Sequence, residues 1–360
     1  MRILFTIPNF ETAGSGHALF QLALGLKNRG HDVHIMAKHD KGKLIESIRK
    51  SGIELHIWNF ESNPRPILTM LKSVFITSKE FRKIKPDVIY SYHYTSDYTE
   101  GLSCLFAGVP WVYVKKNMSW YGPSKNAWIL RSFLAHRIIV QNTEMVKEFL
   151  YRFKKKLDFI AIGVDMQKFQ PSTVSRRDTF TFLHISSLLP VKGIQELVEA
   201  YSLFCEKDFH NHQLIICGND NTAYIESIKH KYAHIDSLFF VGEISNVNDY
   251  ISESHCFIQS TLNSGRREGA PIALQEAMAS GLISLGSRVA GINDQLRDFS
   301  EFQFDSFNSV ELQEKMQMVF NLSQAERDEI GLKMRRKMEK DYSLDAEIVK
   351  VEQMLFGLIS

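Results

Sequence analysis

The fold is decided by residues 2–37, which read RILFTIPNFETAGSGHALFQLALGLKNRGHDVHIMA. The opening run, 2–8, is apolar and predicts a short buried strand. After a glycine-bearing loop, 13–16, apolar residues recur at helical spacing until Gly30 ends the predicted helix, and a second strand is predicted at 33–37. A strand, a helix and a strand in this order predict a doubly wound parallel sheet.

The same alternation continues along the chain. Strand-like runs separated by helical patterns lie at 87–90, 111–114 and 138–140. A second series of such runs then follows at 180–185, 214–217, 239–241, 256–258 and 283–285. The stretch between the two series, 154–178, holds a basic cluster, Gly163 and Pro171, and we interpret it as an interdomain linker. The sequence therefore predicts two α/β domains of one architecture, with the site in the cleft that their strand ends would share.

Composition agrees with two globular domains. The chain has 360 residues, 44% hydrophobic and 23% charged, which excludes a disordered or fibrous protein. The first 160 residues carry 24 Lys and Arg against 13 Asp and Glu, whereas the remainder carries 19 against 28. A basic first half beside an acidic second half indicates different partners: phosphates, nucleic acid or an anionic membrane surface for the first. Ordinary solvated faces are the alternative.

The sequence also indicates the cellular compartment of the protein. No run approaches about 18 apolar residues, and the first residues lack a basic region followed by an apolar one, so we expect neither a membrane span nor secretion. The four cysteines share no close spacing, which predicts reduced thiols rather than disulfides or a zinc clip: Cys104, Cys205, Cys217 and Cys256. We expect a cytoplasmic protein.

Two segments are candidates for binding an anion. The first is Gly14-Ser15-Gly16, where a helix would begin; a simple tight turn is the alternative. The dinucleotide fingerprint fails there, because Leu19 occupies its third glycine position and Lys38 follows the second strand. Nicotinamide binding is therefore disfavoured.

The second candidate is the segment 266–281. Pro271 suits the first turn of a helix and Gly281 its end, so Glu268 and Gly269 fall in the preceding loop. Backbone amides near Ala270 would face an anion, while Glu276 could reach a more distant diol.

Together these segments resemble the retaining glycosyltransferases of family four, which have the GT-B fold and transfer a sugar from a nucleotide donor. The resemblance covers nearly the whole length, and its strength lies in the order and spacing of the matching stretches: the glycine loop, 29–33, 85–89, 108–110, 163–165 with Phe169 and Pro171, 190–193, and 268–281. It implies an acceptor-binding domain, 1–170, and a nucleotide-sugar domain, 171–340. A final helix, 341–360, is expected to return to the first domain.

The resemblance assigns roles at the donor. Glu268 would contact the donor sugar, Glu276 the ribose hydroxyls, and Lys192 the diphosphate, where negative charge gathers in the transition state. The family usually has an arginine five positions before that lysine, but here the residue is Ser187. Either Arg266 or Arg267 compensates, or donor binding is weaker, or the donor differs. Further donor contacts would come from the glycine loop at Gly16, the base-binding pair Gly242 and Glu243, and the helix start at Gly269, Ala270 and Pro271.

Other roles are less sharply assigned. His93 stands where the family has a histidine near the donor sugar, and a packed, hydrogen-bonded histidine is the alternative. Lys115, Lys116 and Asn117 end a predicted strand and could receive an acceptor phosphate or an anionic sugar; a solvated strand end is the alternative. The pair His210 and His212 has metal-like spacing but no third ligand nearby, so we interpret it as a surface turn.

The resemblance implies no metal and no cofactor, because no two aspartates are separated by one residue. No side-chain nucleophile has an obvious base, which favours front-face transfer over covalent catalysis by Glu268. Stretches that mix aromatic and basic residues, 71–85, 120–137 and 149–156, predict contact with anionic lipid at the inner membrane face, or core packing instead.

We therefore expect a cytoplasmic, hexosyltransferase-type enzyme, which uses a UDP- or GDP-sugar and a saccharide or lipid-linked acceptor in cell-surface polysaccharide or glycolipid synthesis. A nucleotide-sugar epimerase of similar fold and a catalytically silent binding homologue are the alternatives. No nucleic-acid motif is present.

Overall fold

The computed structural model describes residues 1–11, 13–42, 44–118, 120, 125–172, 178–207, 209–264 and 269–359. It divides into two compact units. Unit 1 comprises Met1–Gly163 and Leu344–Ser360, and unit 2 comprises Val164–Ser343. The chain thus divides at Gly163 and Ser343, whereas the family resemblance implied divisions at 170 and 340.

Unit 1 is built on a seven-stranded parallel sheet in the order β3-β2-β1-β4-β5-β6-β7. Its strands are β1 Arg2–Ile7, β2 Asp32–Ala37, β3 Glu54–Ile57, β4 Val88–Ser91, β5 Trp111–Lys115, β6 Arg137–Val140 and β7 Leu157–Phe159. Consecutive residues of a strand point to opposite faces, and Ile3, Leu4 and Phe5 are all fully buried. The sheet is therefore covered on both faces, as a doubly wound sheet requires.

Unit 2 repeats the plan with six parallel strands in the order β10-β9-β8-β11-β12-β13. The strands are β8 Phe180–Ile185, β9 His212–Cys217, β10 Leu238–Phe240, β11 Cys256–Gln259, β12 Ser284–Ser287 and β13 Gln303–Phe304. The order reverses direction at β8 and β11, so the carboxyl ends of these central strands flank the position where α/β sheets bind ligands. The predicted pair of doubly wound α/β domains is confirmed.

Helices connect the strands of both units. Their bounds are α1 Ala13–Asn28, α2 Ile45–Lys50, α3 Ile67–Ile84, α4 Thr99–Ala107, α5 Lys125–Leu134, α6 Thr143–Met145, α7 Ile194–Cys205, α8 Ala223–Lys231, α9 Val247–Glu253, α10 Ile272–Ala279, α11 Ile292–Gln295, α12 Ser309–Asn321, α13 Gln324–Asp341 and α14 Leu344–Ile359. A π turn, Val146–Leu150, and a 3₁₀ turn, Tyr151–Lys156, extend α6. No described helix is long and apolar enough to cross a lipid bilayer.

The predicted glycine loop before the first helix is wrong. Gly14, Ser15 and Gly16 lie within the first turns of α1, which begins at Ala13. A Cβ atom on Gly16 would lie 3.0 Å from Cδ1 of Phe10. The glycine therefore serves close packing of the helix against the segment before it, rather than a left-handed loop conformation.

The linker interpretation of 154–178 is wrong for its first part. Residues 157–159 form β7, which pairs in parallel with β6 at the sheet edge, and Ile160, Ala161 and Ile162 are buried. The strand was missed because the basic residues before it, which include Lys156, suggested an exposed linker. In the structure, the ammonium group of Lys156 donates to the carbonyl oxygens of Phe133 and Ala135, 2.7 Å from each. A basic cluster can thus lead directly into an edge strand.

The last helix, α14, belongs to unit 1, as the resemblance implied. Glu352 accepts hydrogen bonds from Arg29 at 2.6 and 3.0 Å and lies 2.8 Å from Nε2 of His31. Ile348 packs so closely on α1 that a Cβ atom on Gly25 would lie 2.2 Å from its Cδ1 atom. The four cysteines are free, and three of them are buried, as expected from their sequence context.

Candidate active site

The loops that follow the strands of unit 2 contact one another at the carboxyl edge of its sheet. The amide of Gly218, after β9, donates to the carbonyl oxygen of Gly242, after β10, at 2.9 Å. A Cβ atom on Gly218 would lie 2.0 Å from the carbonyl oxygen of Ser186, after β8. The predicted base-binding residues, Gly242 and Glu243, therefore share one edge with the loop of Ser187.

Lys192 lies on the next part of the same edge. It ends the 3₁₀ turn Pro190–Lys192, its carbonyl oxygen accepts from Oγ of Ser260 at 2.9 Å, and only 8% of the residue is exposed. Gly193 follows with φ of +68°, and a Cβ atom there would lie 2.0 Å from the carbonyl oxygen of Ser260. Since only glycine fits this approach, it fixes the turn that carries the lysine.

His184 was missed by sequence reasoning, although it organises this loop. It is fully buried in β8, with Nδ1 2.8 Å from the carbonyl oxygen of Ile258 and Nε2 2.9 Å from Oγ of Ser186. Burial lowers its pKa to about 4, and the charge of Lys192 acts in the same direction against the hydrogen bond to Ile258. A neutral imidazole thus joins β8 to β11 and positions Ser186, whose hydroxyl accepts from the amide of Leu188.

Helix α10 begins where the sequence predicted, with Pro271 as its N-terminal cap residue. Gly269 is buried and packs on Gly291 so tightly that a Cβ atom on Gly291 would lie 2.2 Å from the carbonyl oxygen of Gly269. The amides after Ala270 thereby open the helix at the carboxyl edge, where the positive end of its dipole favours an anion.

Glu276 lies on the second turn of α10 and is half-buried. Burial raises the pKa of its carboxyl group to about 7, against the opposing influence of the Lys168 charge. A carboxylate that is sheltered from water in this way gains most when a ligand hydroxyl donates to it. Three other predicted residues, Arg266, Arg267 and Glu268, lie outside the described residues.

His93, the predicted catalytic histidine of unit 1, is held in a buried cluster after β4. Its Nε2 atom lies 2.8 Å from Oε1 of Glu61 and 2.9 Å from Oγ1 of Thr95, and the residue is 1% exposed. Glu61 also pairs with Lys38, which follows β2. Burial acts to raise the pKa of Glu61, but the hydrogen bonds and charges of His93 and Lys38 outweigh it and hold the pKa at about 2.

A second buried pair supports the His93 loop. Arg131 on α5 donates to the carbonyl oxygen of His93 at 3.1 Å and to Oγ of Ser91 at 3.3 Å. It lies 4.0 Å from Glu100, which accepts from Ser91 at 2.7 Å, and neither charged side chain is exposed. A buried pair of this kind constrains geometry more than it stabilises the fold, which suits a loop that must hold a histidine in place.

The predicted acceptor residues are not a solvated strand end. Lys115 ends β5 with 1% exposure, and its ammonium group lies 3.8 Å from the ring centre of Trp128, 4.0 Å from that of Trp120 and 3.0 Å from Oδ1 of Asn117. The ammonium group of Lys116 lies 3.8 Å from the ring centre of Tyr92. The Nζ atoms of both lysines are therefore directed at aromatic rings.

Lys116 and Glu347 of α14 influence each other electrostatically. Burial holds the pKa of Lys116 well below its usual value, partly offset by Glu347. Burial also raises the pKa of Glu347 to about 8, partly offset by the amide of Gly163, which donates to it at 2.7 Å, and by Lys116. Sequence reasoning missed this partner, because it lies 231 positions along the chain and nothing local marks it.

The structure thus brings one set of predicted residues to the carboxyl edge of unit 2: Ser187, Lys192, Gly242, Glu243, Gly269, Ala270, Pro271 and Glu276. It places a second set in unit 1. His93, Lys115, Lys116 and Asn117 lie at strand ends, and Gly16 lies in α1. The residues missed were the supporting ones, His184, Lys38, Glu61, Glu100, Arg131 and Glu347.

Comparison with known proteins gives matches to two family models, one for each part of the chain. Residues 165–340 match "Glycosyl transferases group 1" and residues 12–168 match "Glycosyltransferase Family 4". Among curated relatives, the Escherichia coli UDP-Gal:alpha-D-GlcNAc-diphosphoundecaprenol alpha-1,3-galactosyltransferase is 23% identical over 309 residues, 78% of this chain and 77% of the relative. A phosphatidylinositol N-acetylglucosaminyltransferase component from Arabidopsis thaliana is 28% identical over 148 residues, which span 40% of this chain but only 32% of the relative.

Solved structures match over the full length. A glycosyltransferase from Rickettsia africae has a TM-score of 0.85 at 16% identity, and the match covers 100% of this chain and 98% of that one. Anabaena HepE in complex with UDP and glucose has a TM-score of 0.81 at 14% identity, and the match covers 99% of both chains. Two doubly wound units with this topology define the GT-B class of glycosyltransferase fold. The chain belongs to the glycosyltransferases of group 1 and family 4, and it is a glycosyltransferase.

Proposed function

We propose that this enzyme is a retaining, metal-independent hexosyltransferase that moves a sugar from a UDP-linked donor to a saccharide on a lipid diphosphate. The observation that carries the donor half is the carboxyl edge of unit 2, where Lys192, the start of α10 and the half-buried Glu276 share one sheet edge. A UDP donor and a diphospholipid acceptor are named for the E. coli relative, and UDP is bound in Anabaena HepE. Cell-surface polysaccharide or glycolipid synthesis is the corresponding pathway class.

Each group at this edge has a distinct task. Glu276 accepts hydrogen bonds from the two ribose hydroxyl groups, while Gly242 and Glu243 present backbone groups to the base. Lys192 and the amides near Ala270 neutralise the diphosphate, so that the family's missing arginine at Ser187 is partly replaced. Neutralisation by fixed cations and amides makes a divalent metal unnecessary for departure of the diphosphate.

Transfer then proceeds on one face of the donor sugar. The bond between the anomeric carbon and the phosphate oxygen breaks, and its electron pair leaves with UDP. The acceptor hydroxyl oxygen bonds to the same face of that carbon, and its proton passes to the departing phosphate. His93, fixed by Glu61, contributes to positioning the donor sugar, while the strand ends around Asn117 receive the acceptor.

Three neighbouring helices of unit 1 support a site of action at the inner membrane face. Helix α3 packs against α4, and α4 against α5. Their exposed apolar residues include Leu68 at 82%, Phe75 at 49%, Leu105 at 60% and Phe133 at 70%. Exposed Lys72 and Lys79 lie on α3, with Lys79 4.7 Å from the ring centre of Phe75. Exposed apolar and basic side chains on neighbouring helices suit anionic lipid, and flotation with anionic but not neutral vesicles measures this contact.

The donor assignment is tested by Glu276→Gln. At pH 8 the variant is expected to bind UDP about 10- to 100-fold more weakly by calorimetry, because it loses a charged acceptor for the ribose diol. Since the pKa of Glu276 is raised to about 7, the wild-type carboxylate is largely protonated at pH 6. The affinity of the wild type for UDP should therefore fall about tenfold from pH 8 to pH 6. The difference in UDP affinity between the wild type and Glu276→Gln should then be smaller at pH 6 than at pH 8.

The exposed residue Glu314 on α12 provides the matched control, and Glu314→Gln should bind UDP like the wild type at both pH values. Equal UDP affinity of Glu276→Gln and wild type at pH 8 would remove the ribose assignment. Transfer from a UDP-hexose to a lipid-diphosphate saccharide by the purified chain tests the reaction itself. Epimerised sugar without acceptor would identify an epimerase instead, and UDP binding with neither reaction would identify a silent homologue.

A further inference from the structure

Two histidines and a glutamate meet on one face of the unit 1 sheet, away from every residue used above. His34 lies on β2 and Glu54 and His56 lie on β3; His34 pairs in register with Glu54, and Met36 pairs with His56. Alternate residues of a strand share a face, so all three side chains emerge on the same side of the sheet. Among the described residues, this is the one group of three metal-ligating side chains whose ligand atoms lie within 4.8 Å of one another.

The distances between the ligand atoms match those around a single metal ion. Nδ1 of His34 lies 3.0 Å from Nε2 of His56 and 3.5 Å from Oε2 of Glu54. Nε2 of His56 lies 3.6 Å from Oε1 of Glu54. Ligands about 2.0–2.1 Å from a tetrahedral zinc ion are separated by roughly 3.3 Å, so the group needs only small shifts to bind one.

An aspartate already orients the first ligand. Asp32, two residues before His34 on the same face, places Oδ1 3.1 Å from Nε2 of His34. Asp32 is itself fixed by Arg2, whose Nε donates to it at 2.6 Å. Because the Asp32 carboxylate accepts a hydrogen bond from Nε2 of His34, the imidazole proton is held on Nε2. The lone pair of Nδ1 then faces His56 and Glu54. This is the usual support for a metal-ligating histidine.

We propose that His34, Glu54 and His56 bind one zinc ion, which clamps the edge strand β3 to β2. Imidazole and carboxylate ligands suit zinc, and two histidines with one glutamate leave a fourth position for water. The group opens outward, because the side chain of Glu54 is 66% exposed and a cavity of about 540 Å³ is lined by the three ligands. Zinc binding requires the tautomer of His56 whose proton is on Nδ1, so that the lone pair of Nε2 faces the metal together with Nδ1 of His34.

The test uses the untagged full-length chain, stripped with EDTA and titrated with zinc chloride in a calorimeter. The expected result is one zinc ion per chain and a higher melting temperature with zinc present, since a ligand of the native state stabilises it. Glu54→Gln and His56→Gln should each weaken zinc binding at least tenfold. Asp32→Asn, which keeps all three ligands, should weaken it about 10- to 100-fold.

The matched control is His39→Gln. His39 is a partly exposed histidine that lies 3.7 Å from Glu11 and belongs to no such triad among the described residues, so zinc affinity should be unchanged. Glu54 is exposed and its replacement leaves the core intact, which keeps the test valid if His56→Gln folds poorly. Absence of stoichiometric zinc binding by the wild type, or wild-type affinity in Glu54→Gln, would overturn the site.

Discussion

The carboxyl edges of the two sheets differ in whether backbone or side chains determine their shape. In unit 2 the edge is shaped by backbone: Gly193, Gly218, Gly242 and Gly291 all have positive φ, and added Cβ atoms at three of them would overlap neighbouring carbonyl groups. In unit 1 the edge is shaped by side chains, with charged groups held in buried pairs such as that of Arg131 and Glu100. The edge of unit 2 therefore depends on backbone conformation, and the edge of unit 1 depends on contacts between side chains.

Under the proposed function, this difference would correspond to two kinds of recognition. Backbone amides and helix starts present the same donors whatever the surrounding sequence, which suits a nucleotide diphosphate. Networks of side chains such as Lys115 with Trp120 and Trp128 can be changed residue by residue, which suits acceptors that vary between enzymes. A change in unit 2 should therefore affect donor chemistry, and a change in the unit 1 network should first affect stability.

The largest expected effect is that of Lys192→Ala. If the lysine stabilises charge on the departing diphosphate, kcat should fall by about 10²- to 10³-fold, as when one donor to a developing anion is removed. The loss should exceed any change in KM, because the charge is greatest in the transition state. Initial rates of transfer from a UDP-sugar, measured over a range of donor concentrations, separate the two constants.

Exposed Lys207 supplies the comparison for that experiment, since Lys207→Ala removes the same charge from the same unit. Its kcat should equal that of the wild type. A wild-type kcat in Lys192→Ala would show that another cation serves the diphosphate, and equal losses in both variants would indicate a general effect of net charge.

Most of the fold was predictable because its signals are local. Apolar runs such as 180–185 and the alternation with helical patterns identify the central strands of both sheets. The strands that were missed, β3, β7 and β13, are short and lie at sheet edges. Partial exposure weakens the apolar pattern of β3 and β7, and β13 has only two residues. The first turn of α1 was misassigned because its glycines resemble a loop, although Gly16 packs closely against Phe10.

The candidate site was predictable only where the backbone determines it. Pro271 is typical of the first turn of a helix, so the start of α10 was placed correctly. The residues next to Lys115 in the sequence do not predict that its ammonium group turns inward, because its aromatic partners belong to other parts of the fold. Long-range contacts such as that of Gly163 with Glu347 follow from topology, which local patterns do not encode.

An intermediate effect, on stability rather than turnover, is expected for Glu61→Gln. The folded-state pKa of Glu61, about 2, lies below its ordinary value of 4.5, so the ionised carboxylate stabilises the fold above pH 4.5. This contribution is lost as the pH falls toward 2. The variant should therefore be less stable than wild type by about 2 kcal/mol at pH 7, and the difference should shrink between pH 5 and pH 3.

Urea unfolding of both proteins across this pH range measures the difference in the free energy of unfolding. The control is Glu46→Gln, whose carboxylate pairs with Lys50 while 77% exposed and should contribute less than about 0.5 kcal/mol. A difference for Glu61→Gln that stays constant with pH would mean that the side chain acts through packing. The comparison between the two edges would then lose its electrostatic basis.

The smallest expected effect tests the position where this chain departs from its family. Ser187 lies in the loop before Lys192, and Ser187→Arg restores the usual arginine. A new cation beside the diphosphate should strengthen UDP binding about three- to tenfold, roughly 1 kcal/mol, and more so at low salt. Calorimetry compares the UDP affinity of Ser187→Arg with that of Ser187→Gln, which introduces a long but uncharged side chain. The comparison separates the effect of the added charge from that of the added size. Equal affinities for these two variants would place residue 187 away from the phosphates and leave their neutralisation to Lys192 and the start of α10.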